Sequence, residues 1–154
     1  MAAVLFADGL SYFCDMEPSE QILQSFERRS DNQIMALEML SIALRISSFS
    51  KILRGRRVVI WSDNTGAQAA TSTGRAKSFD HACIAHCIWT ELAQLHVTAH
   101  VARVPTDSNI ADLPSRQKYG LLHALGSKVV EPKLSDVFLQ PGACLLYTSD
   151  AADE

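Results

Sequence analysis

Three features of the sequence predict a mixed α/β fold. An Asp-Gly pair separates two apolar runs near the start, and a β-branched run, RVVIWS, lies in the middle. Two longer segments carry apolar residues at the three- and four-residue spacing of a helix. Strand and helix signals alternate along the chain, the pattern of sheets packed against helices.

The elements follow in order. AVLFADGLSYFCD reads as a hairpin turning at Asp8-Gly9, the strongest short-range hairpin signal. Pro18 to Arg29 is polar and has no decisive period. Ser30 or Asp31 caps the next predicted helix, in which Ile34, Leu37, Leu40 or Ser41, and Leu44 form a stripe. Ser47, Ser48 and Ser50 loosen its end. Gly55 punctuates, and Arg57 to Ser62 follows as a strand expected to be covered on both faces. Asn64-Thr65 caps a short helix through Ala70, with Gly74 ending it. Phe79 to His96 is a second long helix, its stripe made by Ile84, Ile88, Leu92 and Leu95. Val97 to Val104 alternates as a strand and Pro105 stops it. A last helix runs from Pro114 to Leu125, with proline at its opening and Gly126 past its end. Residues 127–143 read as a linker.

Composition narrows the class. The 154 residues are 47% hydrophobic and 20% charged, enough for one domain with a sizeable core. No apolar run approaches the ~20 residues of a bilayer span, and no basic-then-apolar signal opens the chain. Four cysteines without secretory features point to reduced thiols and a cytoplasmic or nuclear setting. Net charge is −3, so there is no global basic signature for nucleic acid. The last eleven residues, CLLYTSDAADE, resemble the translation of a transposase-type sequencing-library adaptor. Residues 144–154 are therefore read as an artefactual tail. They hold three of the 17 acids and no base, which leaves residues 1–143 with 14 acids against 14 bases.

Three acids mark the boundaries of different elements. Glu38 lies inside the helical run DNQIMALEMLSIAL, Asp63 closes RRVVIWSD, and Asp112 sits in RVPTDSNIADLPSR. Carboxylates gathered from separate elements are what a protein needs to hold hard divalent cations against a phosphodiester. Taken singly, each acid is equally well a helix cap or an exposed carboxylate, Asp63 before Asn-Thr most of all.

These segments carry a resemblance. Glu38 in ALEMLSIAL, Asp63 in WSDNTGA, and Asn109-Ile110-Ala111-Asp112 followed by Ser115-Arg116 are similar to the ribonuclease H domain of retrotransposon reverse transcriptases, of the gypsy-like or tyrosine-recombinase type. It covers residues 1–126. The resemblance implies a ribonuclease H-like mixed sheet, three strands antiparallel and two parallel, flanked by helices. It also implies hydrolysis of the RNA strand of an RNA–DNA hybrid, with Mg²⁺ or Mn²⁺ held by Glu38, Asp63 and Asp112. The implied partners are the hybrid and an upstream reverse transcriptase domain of a parent polyprotein, with no membrane. The family's pattern calls for a fourth acid on a first strand. Asp8 stands in a turn, where Asp is structurally favoured, and AVLF matches the family's second strand. The expectation is therefore that the first strand and its acid lie upstream of Met1, with Asp8 the second choice and Asp15 the third. On that view this chain alone is weakly active or silent. A non-catalytic remnant of the same fold, structural or nucleic-acid-binding, is the alternative.

Arg54, Arg56, Arg75, Lys77, Asn64 and Arg116 are candidates for nucleic-acid contact, since phosphate contacts supply most sequence-independent affinity. Ordinary solvated surface explains the basic ones equally well. Trp61 and Trp89 sit in apolar patterns and read as core. Asp80, His81, Cys83, His86 and Cys87 offer metal-ligand chemistry, but His81 and His86 do not share a helix face with both cysteines. They read as buried thiols and rim histidines.

Overall fold

The structure is a computed structural model describing residues 1–26, 30 and 33–135. It opens with the predicted hairpin. Strand β1 (Ala2–Ala7) pairs antiparallel with β2 (Leu10–Asp15), in a register that sets Ala7 opposite Leu10. Asp8 and Gly9 both have positive φ, 53° and 74°, the combination a two-residue type I′ turn requires. Helix α1 (Glu20–Ser25) follows, its first turn capped by the Ser19 hydroxyl accepting from the Ile22 N–H.

Helix α2 (Ile34–Ser48) is the central element. Met39, Leu40, Ile42, Ala43, Leu44 and Ile46 are all buried, so the helix is enclosed on most of its circumference. It packs on β1 and on two later helices. The expected cap differs: Gln33, in the left-handed conformation, precedes the helix, Ser30 is not its cap, and Asp31 falls outside the described residues. The serines do not loosen its end. A short helix α3 (Ser50–Leu53) continues the path after Phe49.

Strand β3 (Arg57–Ser62) pairs in parallel with β4 (Thr98–Arg103), Arg57 opposite Thr98. Between them run α4 (Thr65–Thr73) and α5 (Phe79–Gln94), as a parallel pair demands. Gly74 closes α4 in the left-handed conformation. β3 corrects an expectation. Ile60 and Ser62 are buried, but Val59 and Trp61 are 52% and 53% exposed, so only one face is covered and Trp61 is not core. Trp89 is half-buried, its indole N–H donating to the Thr71 carbonyl at 2.7 Å.

The last helix is also corrected. It divides into α6 (Asp112–Ser115) and α7 (Gly120–Ala124), separated by Gln117 at φ 58°, a conformation no helix continues through. The packed chain extends past residue 126: β5 (Lys128–Val129) joins β2 in parallel, and the Lys133 N–H donates to Ser48 Oγ at 2.9 Å. The strands form two sheets, ordered β1-β2-β5 and β3-β4, where a single sheet was expected. The result is a mixed α/β fold with a small mixed sheet. Its core lies between α2, α5 and the inner faces of the strands. Among the described residues no helix is long and apolar enough to cross a membrane. Residues 136–154, including the proposed tail, lie outside the described residues.

Candidate functional site

The C-terminal end of β3 determines where the acids sit. Ser62 is buried, and its carbonyl accepts from the Val104 N–H at 3.0 Å, so the backbone is fixed up to the residue before Asp63. After β4, Pro105 and a 3-10 turn (Thr106–Ser108) bring the chain to Asn109, and Asp112 opens α6. The Asp112 N–H donates to the Asn109 carbonyl at 3.0 Å.

One side chain joins the two acids. Asn109 Nδ2 donates to Asp63 Oδ1 at 3.0 Å and to Asp112 Oδ1 at 3.3 Å. Its Oδ1 accepts from the Ala111 N–H at 3.2 Å, which orients the amide. Glu38 comes from the opposite side on α2. It is half-buried and lines, with Arg45, Asn109 and Asp112, a cleft of about 200 Å³.

The electrostatics bind the three acids into one group. Burial raises the Glu38 carboxyl above its ordinary pKa, and the negative charges of Asp63 and Asp112 push the same way. Asp112 is raised by burial and then by Asp63, against the opposing pull of Arg116 and Arg45. Arg45, two turns beyond Glu38, faces all three: burial lowers its pKa while Glu38, Asp63 and Asp112 oppose the shift. A guanidinium remains charged through shifts of this kind. It donates to the Trp61 carbonyl at 2.5 Å, and among the described residues its buried Nε has no hydrogen-bond partner.

Donor chemistry fits a hard divalent cation: three carboxylates, all oxygen acceptors, with mutual repulsion a cation would relieve. Among the described residues, however, no group of three or more His, Cys, Asp or Glu side chains is gathered closely enough to hold one ion. Mg²⁺ is ordinarily held by one or two carboxylates, with water and substrate phosphate completing its shell. Pairs drawn from Glu38, Asp63 and Asp112 match that habit better than a closed cage.

The candidate nucleic-acid residues are dispersed. Arg116 stands beside the acids, 3.8 Å from Asp112. Asn64 caps α4, accepting from the Ala67 N–H at 2.9 Å, so its side-chain oxygen already has a structural partner. Arg54 and Arg56 flank the opposite end of β3, roughly 20 Å away at strand rise. Arg56 forms a two-pronged pair with Asp8, at 2.9 and 2.7 Å. Arg75 and Lys77 are exposed between α4 and α5. Asp8 thus sits at the hairpin tip, away from the acid group. Asp15 accepts from the Tyr119 hydroxyl at 3.0 Å.

Two residues of the site had no role assigned from the sequence. Asn109 stood only as part of a motif. Arg45 carried a usable signal, a lone base in an otherwise apolar helical run, seven residues from Glu38. In the Asp80–Cys87 stretch, Asp80, His81 and Cys87 are buried while His86 is exposed, so His81 is not at the rim. No protein-family model, curated protein or solved structure matches this chain.

Proposed function

We propose that the acidic end of β3 is a metal-dependent phosphodiester-hydrolysing site of the ribonuclease H type. Its substrate is the RNA strand of an RNA–DNA hybrid, and its setting is the ribonuclease H-like domain of a retrotransposon polyprotein. One observation carries the reading: Asn109 bridges Asp63 and Asp112, with Glu38 close enough for their charges to raise its pKa. Three carboxylates, from α2, the end of β3 and the start of α6, lie within reach of one another's charge, and nothing in the stability of the fold calls for that.

Each residue has a distinct part. Asp63, on the rigid strand end, fixes the position of the site. Asp112, on the first turn of a four-residue helix, has more freedom to follow a substrate. Glu38 holds its carboxylate half-buried, where water competes weakly for it. Asn109 keeps the two aspartates aligned, and Arg116 is available to a phosphate beside Asp112. Mg²⁺ or Mn²⁺, when bound, supplies a water of lowered pKa and neutralises charge that develops on the phosphoryl oxygens.

A second reading has its own observation. Arg45 already lies among the acids, as a built-in counter-charge would, which suits a non-catalytic descendant of the same fold that binds nucleic acid or serves structure. The two readings separate in one experiment. In the enzymatic case, millimolar Mn²⁺ raises the Tm of the chain, and excess protein cleaves labelled RNA in a hybrid while sparing duplex DNA. Asp63→Asn removes the Tm response and lowers cleavage by about 10²-fold or more. Hybrid binding with no Mn²⁺ effect on the Tm would select the non-catalytic reading; missing cleavage alone would not, since a chain without the first strand's acid is expected to be weakly active or silent.

A further inference from the structure

The register of β3 on β4 divides the pair into two faces, because side chains alternate along a strand and residues opposite each other share a side. Val58, Ile60 and Ser62, with Ala99 and Val101, form the inner face, and Ile60, Ser62 and Val101 are buried under the helices. Arg57, Val59 and Trp61, with Thr98, His100 and Ala102, form the outer face. All of these except Ala102 are exposed. A parallel pair is ordinarily covered on both sides, so the outer face calls for an occupant.

Its side chains say of what kind. A face meant for a packed helix would repeat the apolar set of the inner one. Here Val59, Trp61 and Ala102 are apolar, while Arg57, Thr98 and His100 are polar or basic. No acid stands among the six. A basic run, Arg54, Arg56 and Arg57, leads into the face. Arg56 is taken up by Asp8, and Arg54 and Arg57 are exposed outside that pair.

Trp61 is the other half of the argument. Its indole stays half-exposed although its backbone is fixed on both sides, by the pairing with β4 and by the Arg45 guanidinium on its carbonyl. An aromatic ring held on a rigid strand, with cations about 13 Å along the same face at strand rise, suits a strand of unpaired bases. Every base has a π face to stack, and the phosphates beside it meet the cations without any sequence being read. A duplex, its bases already stacked, offers the indole nothing comparable.

We infer that the outer face of β3 and β4 binds single-stranded nucleic acid. One base stacks on the Trp61 indole beside Val59, and flanking phosphates lie against Arg57 and Arg54. Thr98 and His100 add hydrogen-bonding groups from the neighbouring strand. This surface is separate from the acids, and the inference stands whatever they bind.

The test uses the full chain in EDTA at low salt, with fluorescein-labelled decanucleotides of dT and of rU and an abasic strand with the same phosphates. Anisotropy should show binding of the dT and rU strands, and at least tenfold weaker binding of the abasic one. Binding by only one of dT and rU also supports the proposal and names the sugar. Trp61→Leu keeps an apolar surface and removes the π face, and should weaken binding at least tenfold, the scale of one lost stack. Trp61→Phe should weaken it less than threefold. Arg57→Gln should flatten the dependence of log affinity on log salt by about 0.7. Bound oligonucleotide should also shield Trp61 from acrylamide, its emission being the difference between the parent and Trp61→Leu, in which Trp89 alone emits. If Trp61→Leu fails to fold, shielding in the parent by the dT strand and not by the abasic strand gives the answer. Equal binding of abasic and base-bearing strands, unchanged affinity in folded Trp61→Leu, or no binding at millimolar concentration overturns the proposal. So does shielding of Trp61 that rises with protein concentration alone, which would show a second copy covering the face.

Discussion

The two ends of β3 carry charge in opposite ways. At its start, Arg56 and Asp8 are matched one to one, exposed, and in two-pronged contact. At its far end, Glu38, Asp63 and Asp112 lie within reach of one another's charge and of Arg45's, and burial pushes Glu38 and Asp112 toward protonation. The first arrangement is what stability alone would choose. The second leaves like charges near one another inside the protein, which costs stability and persists where a ligand is meant to relieve it. The matched end only closes the hairpin against the second sheet. The mismatched end is where chemistry is to be sought.

The largest break in this contrast comes from Arg45→Met. Removing the cation that faces all three acids should lower stability at pH 7 by roughly 2 kcal/mol. A fully buried pair would lose ~3–5, and these carboxylates are only partly buried. For a chain of this length that is a fall in Tm of about 5 °C. Calorimetry should also find the deficit shrinking toward pH 4, as the acids take up protons. An unchanged Tm would mean that Arg45 does not organise the site.

Asn109→Ala comes next. It removes one donor from two carboxylates and should cost about 1 kcal/mol, while Asn109→Asp, adding a fourth negative charge, should cost more. Equal Tm values for the two variants would contradict an electrostatic role for the amide. Glu38→Gln should act the other way and raise stability at pH 7 in metal-free buffer, by about 0.5–1 kcal/mol. The sign follows from the raised pKa. The folded carboxyl takes its proton at a higher pH than the ordinary 4.5, so stability falls as pH rises between those two values. The gain from glutamine should vanish below pH 4.5. A Glu38→Gln protein that melts lower than the parent at pH 7 would show the acid to be structurally favourable.

Much of this contrast was legible before any coordinates. The hairpin, α4, α5 and the β3–β4 pair follow from Asp8-Gly9, Asn64, Gly74 and the periodic stripes, because local chemistry and tertiary packing agree there. The three acids were legible from their positions at element boundaries. What was not legible depended on partners distant in sequence. The RVVIWS run reads as doubly covered, yet whether a second layer exists is decided elsewhere in the chain, and Trp61 is left exposed. The break at Gln117 needed knowledge that Tyr119 would reach Asp15, 104 positions away, as the chain turns. Arg45 was overlooked because a charge in an apolar stripe is read as an imperfection of the stripe, and two of its three acids, Asp63 and Asp112, come from elsewhere in the chain. Arg56 looked like a free basic residue because nothing local announces Asp8, 48 positions back.

The smallest effect is expected at the matched end, and its sign with pH should be opposite. Arg56 lowers the Asp8 carboxyl below its ordinary 3.8, through the hydrogen bond first and charge second. A lowered pKa means that the pair's contribution is present above that value and lost as pH falls through the folded one. Acid therefore weakens this end while it relieves the other. Both side chains are well exposed, so solvent and salt screen the attraction, and pairs of this kind contribute little. Asp8→Asn and Arg56→Gln, singly and together, should leave the Tm at pH 7 within error of the parent in 0.15 M salt. Any coupling between them should appear only at low ionic strength. A large coupling at physiological salt would mean that the hairpin tip is as consequential as the acidic end. Loss of hybrid cleavage on Asp8→Asn would go further, since it would make Asp8, in spite of its place beside Arg56, the first of the catalytic acids.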